Sequence, residues 1–177
     1  MAGALANSQR PQLHCIEVSA VRHAALVKRY ASRSFVCCYE VSSVGLDGFA
    51  SPAVVERFYR TVDSNLRVFS LKQVLDWREQ DVGYVASRGV PVGGIRMIKE
   101  QRGIDVFDVV LIDGSGFTAQ AELREVYGAR YVVLDDICTF KNYSNFQRLS
   151  QDPAYRLVES AEQPRNGYAL FERVAPC

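Results

Sequence analysis

The chain has 177 residues, 48% hydrophobic and 23% charged, with a formal net charge of +1. That composition supports one packed domain and excludes a disordered chain. The near-neutral charge excludes a strong electrostatic grip on nucleic acid, and no apolar run reaches the length of a membrane span.

In chain order, Leu13–Ser19 ("LHCIEVS") has the composition of a short strand, and Ser19 is placed to cap a helix over Ala20–Ala31. Ser34–Val44 ("SFVCCYEVSSV") is the next strand, rich in aromatic and β-branched residues. Ser51-Pro52 is a helix start with a capping hydroxyl and a proline at the first helical position, followed by Val54, Val55, Phe58 and Val62 on one face. Ser70–Gln73 has the form S-x-x-Q, a capping box, and predicts a helix through about Val85 with Leu71, Val74, Leu75 and Val82 inward. Gly89–Gly94 is a break, and "IRMIKEQRG" is a short helix ending at Gly103. Residues 106–113 ("VFDVVLID") and 130–136 ("RYVVLDD") are predicted as buried strands, with helices after each. "YRLVESAE" and "GYALFERV", joined by "QPRNG", predict a terminal antiparallel hairpin. Strands alternating with helices predict an α/β fold: a mostly parallel sheet with helices on both faces.

The five cysteines are odd in number and form no C-x-x-C. Cys15, Cys37 and Cys38 lie in apolar runs and are expected as buried thiols in a reducing compartment, not as a disulfide framework or zinc site. His14 and His23 lack metal-ligand partners at suitable spacing and are expected to be structural, as is Trp77. G-S-G-F after Asp113 is not the G-x-S-x-G of a serine hydrolase. Gly93-Gly94 is not a phosphate loop. The start, MAGALANSQRPQ, is too short and polar for a secretory leader. A cytoplasmic protein, away from membranes and nucleic acid, is the expectation.

Three strands end on acids: Glu17, Asp113, and the pair Asp135 and Asp136. In open α/β sheets ligands sit beyond the carboxyl ends of the strands. Carboxylates crowded there repel one another, and such a rim serves a diol, a cation or an amine.

"FDVVLIDGS", a helix, "YVVLDDI" and a closing hairpin ending "GYALFER" together resemble class I S-adenosylmethionine-dependent methyltransferases. The resemblance covers residues 12–173 and is strongest over 105–173. It implies a Rossmann-like methyltransferase sheet. Residues 1–177 would form a single domain: strand–helix–strand over 12–44, a helical insertion over 45–104, and the C-terminal half of the sheet over 105–173. It implies S-adenosylmethionine as cofactor, with Glu17 on the ribose hydroxyls and Val18, Ser19, Asp113, Gly114 and Ser115 around it. Asp113 and Asp136 would serve catalysis. Asp113, Asp135 and Asp136 would be the ligands if Mg²⁺ or another divalent cation assists. The acceptor would be a small molecule or a sugar. Lys141 and Asn142 would reach the mouth of the site, or form a polar helix start.

The family's glycine-rich first motif has no counterpart before Leu13, and "GALANSQRP" resembles the tail of the helix that follows it. The expected strand order is therefore 3-2-(1)-4-5-7-6 with the central strand missing. That would leave an open edge for another copy or a partner domain. A second register makes "LHCIEVS" the first strand and Glu40 the ribose acid, with no strand missing. A non-catalytic, truncated binding or assembly module is the competing expectation for function.

Overall fold

The computed structural model describes residues 11–174. The stretch "GALANSQRP" lies outside the described residues except for Pro11. The chain is α/β, with two sheets instead of one.

The first sheet is a parallel pair, β1 (Leu13–Glu17) and β2 (Val36–Glu40), in register from Leu13 opposite Val36 to Glu17 opposite Glu40. Helix α1 (Ala20–Tyr30) connects them. Ser19 caps it, accepting from the Arg22 amide, and Lys28 and Arg29 in its last turn suit the negative end of the helix dipole. None of its residues is buried, and Val21 is 81% exposed.

The insertion is helical. In α2 (Pro52–Thr61), Ser51 accepts from the Val54 amide. In α3 (Leu71–Arg88), Ser70 accepts from the Gln73 amide, as its S-x-x-Q pattern predicts, and the helix stops at left-handed Gly89. Helix α4 (Gly94–Arg102) ends at Gly103. Val55, Phe58, Val74 and Phe140 form a small core here, with Trp77 packed against it.

The second sheet has the order β3-β4-β6-β5, made of β3 (Val109–Ile112), β4 (Tyr131–Asp135), β5 (Tyr155–Ala161) and β6 (Tyr168–Arg173). β3 and β4 are parallel, whereas β6 is antiparallel to both β4 and β5, so the terminal hairpin is present. Helix α5 (Ala119–Val126) follows β3 and α6 (Tyr143–Gln151) follows β4. Their Leu123, Val126 and Leu149 pack with Ile112, Val132, Leu134, Ala169 and Phe171 in the main core. Ile16, Val44 and Ile95 join the same core, so the two sheets share one apolar interior.

Two expectations need correction. β3 is not a buried strand: Ile112 is buried, but Val109 and Leu111, which alternate with it, are 43% and 48% exposed. Continuous apolar sequence marks a strand covered on both faces, yet here only the α5 face is covered. Cys15, Cys37 and Cys38 are half-buried free thiols rather than buried ones, and Cys138 is half-buried and free as well. β1 pairs only with β2, and β3 only with β4. Among the described residues, no strand lies against the free side of either.

Candidate functional site at the carboxyl ends of the strands

Asn142 fixes the ends of β3 and β4. Its side chain is fully buried and donates to the Ile112 carbonyl (3.0 Å) and the Asp135 carbonyl (2.7 Å). Asn145 in turn donates to Asn142 Oδ1 (2.8 Å) and to the Ala119 carbonyl (2.9 Å). This buried amide pair holds the two strand ends in line, so the acids that terminate them converge. One carboxylate oxygen from each of Asp113, Asp135 and Asp136 lies within 4.8 Å of the others. Asp136 takes a left-handed φ of 59°, which an aspartate tolerates better than most residues. Its carboxylate accepts from Asn166 Nδ2 (3.0 Å), and Asn166 Oδ1 accepts from Asn65 Nδ2 (3.0 Å). The hairpin turn and the helical insertion thus brace the cluster.

Lys141, next to Asn142, fills the space between the acids. Its Nζ is 2.5 Å from Asp113 Oδ1, 3.1 Å from Asp136 Oδ2 and 3.5 Å from Asp135 Oδ2. Arg165 adds a second cation 3.6 Å from Asp135. Burial works against the Lys141 ammonium, but the hydrogen bonds to Asp113 and Asp136 outweigh it and raise its pKa. Asp136 is burdened by burial as well. Asn166 and Lys141 overcome that and hold its pKa below the ordinary value. Burial, together with Asp113 and Asp136, pushes Asp135 up.

A divalent ion would find suitable hard oxygen donors here. The arrangement nevertheless does not fit one, because the ammonium already occupies the position such an ion would take.

Glu122 of α5 is a further carboxylate, whose burial no local sequence signal marks. It is 5% exposed. Its Oε1 accepts from Ser43 Oγ (2.6 Å), beyond β2, and from Thr118 Oγ1 (2.9 Å). Burial raises its pKa against the pull of those two hydroxyls. A Cβ on Gly114 would come within 2.6 Å of the same oxygen, so glycine is needed there for packing. Glu122 therefore draws the segment after β2 to the segment after β3 and aligns the carboxyl ends of both sheets.

The other expected site residues are placed as follows. Glu17 Oε1 accepts from the Ser19 amide (2.8 Å), and Ser19 Oγ caps α1. Glu17 ends β1, and Val18 and Ser19 form the turn between β1 and α1. Glu40, the alternative ribose acid, is engaged by Arg88 (2.6 Å) and His23 (3.7 Å). Ser115 is tied to α3: its hydroxyl donates to Asp81 Oδ2 (2.5 Å) and accepts from the Phe117 amide. His14 Nδ1 lies 3.1 Å from the Tyr39 hydroxyl. A hollow of about 380 Å³ opens at the opposite, amino-terminal end of β1 and β2, between Pro11, Phe35 and Arg102, and has no part in the acidic rim.

The chain matches no family model, no curated protein and no solved structure. The arrangement of strands and acids therefore carries the functional argument.

Proposed function

We propose that the chain is a methyltransferase-like domain that uses S-adenosylmethionine and transfers its methyl group to a small-molecule or carbohydrate-type acceptor. The observation that carries this reading is the strand arrangement. The described strands form a parallel pair, β1-β2, and a separate mixed sheet in the order β3-β4-β6-β5, with β6 antiparallel to its neighbours. Pairing and strand sense within each sheet agree with the two groups of strands that flank the first strand in the order expected for that family, which supports the reading. The first register is favoured over the second, because the second predicts an unbroken sheet. Glu40 is also already paired with Arg88, which leaves Glu17 as the better acid for a ribose diol.

Glu17 Oε1 serves the turn through Ser19, and Oε2 has no partner among the described residues. That second oxygen would accept from a ribose hydroxyl. Asp113 and Gly114 would border the cofactor from the other sheet. The cofactor supplies an activated methyl group, so the protein's task is alignment of acceptor and methyl group. Half-exposed Asp113 is the carboxylate best placed to accept a proton from an acceptor hydroxyl. Asp136 would act indirectly, by holding Lys141.

Titration calorimetry with S-adenosylmethionine and S-adenosylhomocysteine tests this. Binding that Glu17→Ala abolishes supports the reading. A folded chain that binds neither supports the second reading, a non-catalytic module. The separation of the strands into two sheets favours that second reading, since no described strand pairs with the free side of β1 or β3.

A further inference from the structure

The acid cluster already contains a cation. An ammonium has three donors and no acceptor, and Lys141 Nζ meets three carboxylates at 2.5, 3.1 and 3.5 Å. The side chain is 9% exposed, so little solvent competes for it. Its backbone cannot drift easily, because neighbouring Asn142 is bonded to both strand ends. Arg165 contributes a second positive charge at the same rim. A magnesium-like ion requires carboxylate oxygens at about 2.0–2.1 Å and dehydrates reluctantly. It cannot share the volume that Nζ occupies.

We propose that Lys141 is the resident cation of the Asp113–Asp135–Asp136 cluster, so that the native chain excludes divalent ions and admits one only when that ammonium is removed. Lys141 is then a positioning residue: it holds Asp113 and Asp136 at close range without a metal. Any chemistry at this rim is metal-independent. The inference rests on the rim being the working end of the sheet, and not on the identity of the cofactor.

The test is a Mn²⁺ titration followed by electron paramagnetic resonance, in which bound ions lose the free-ion signal. It uses the wild-type chain, Asp113→Asn, Lys141→Met and the double variant, with circular dichroism to verify folding. The wild-type chain is expected to leave the signal unchanged up to millimolar Mn²⁺. Lys141→Met is expected to bind one ion per chain, at least roughly tenfold more tightly than wild type, and the double variant to lose it. Uptake of one ion by the wild-type chain, abolished by Asp113→Asn, overturns the proposal. So does a folded Lys141→Met chain that binds nothing. If Lys141→Met does not fold, the wild-type and Asp113→Asn titrations decide alone, silence upholding the proposal and uptake lost in Asp113→Asn overturning it. No S-adenosylmethionine is present in this experiment, and no metal is needed in the cofactor titration, so the two readings fail separately.

Discussion

Glu122 shows what a single side chain contributes here. It is a buried carboxylate whose partners are hydroxyls rather than a cation in contact: Ser43 and Thr118 donate to it, while Lys141 and Asp113 act on it at longer range with opposite signs. Its folded pKa is raised, so the folded chain keeps this proton at pH values where the unfolded chain has released it. The contribution to stability is therefore complete below the ordinary carboxylate range and declines as pH rises toward the folded value. Glu122→Gln removes the titration and keeps an oxygen for both hydroxyls. The melting temperature of the variant is expected to gain on wild type as pH rises from about 4 toward neutrality. Parallel curves would show that the carboxylate carries no burial penalty. The burial of Glu122 was not legible in the sequence, and for Lys141 the sequence left two places open, the mouth of the site and a polar helix start. Helical glutamates normally face water, and a lysine at a helix start normally does too. Only the convergence of segments far apart in the chain turns both inward. The acids themselves were legible, because a strand end fixes where its last carboxylate falls.

At the scale of elements, local signals proved sufficient wherever they were chemical. Ser51-Pro52 and Ser70–Gln73 gave helix starts because a hydroxyl satisfies an amide that the helix leaves unpaired. "QPRNG" gave a turn because proline breaks a strand and glycine accepts left-handed backbone, as Gly167 does; Arg165 is left-handed too, which its residue type did not signal. The β3–β4 junction depends instead on Asn142, whose role is non-local. Asn142→Ala would leave the buried carbonyls of Ile112 and Asp135 without their donor. A loss of about 2–4 kcal/mol in chemical denaturation is expected, counting about 1–3 kcal/mol for each group left unsatisfied and some relief from water. A loss below about 0.5 kcal/mol, within the range of an ordinary surface change, would mean that the two strands hold their alignment without it.

At the scale of the molecule, the free edges of the two sheets dominate. β1 and β3 each present an unpaired edge among the described residues, and Val109 and Leu111 leave apolar surface beside one of them. Unpaired apolar edges recruit other strands. Composition could not reveal this, because the run Val109–Ile112 has the sequence of a fully covered strand and nothing within it says which face lacks a neighbour. The chain is expected to self-associate with rising concentration in sedimentation velocity. Leu111→Lys, at an exposed position, should shift it toward monomer without altering its circular dichroism. A wild-type chain that stays monomeric at high concentration would show that this surface does not pair with another copy.

The proposed function stands or falls on whether the carboxyl ends of the strands bind S-adenosylmethionine. The most direct measurement is titration calorimetry of the chain with S-adenosylmethionine, repeated with Glu17→Ala and Glu40→Ala. Saturable binding is expected, removed by Glu17→Ala and left in place by Glu40→Ala. Loss through Glu40→Ala alone, or a folded wild-type chain that releases no heat with the cofactor, would contradict it.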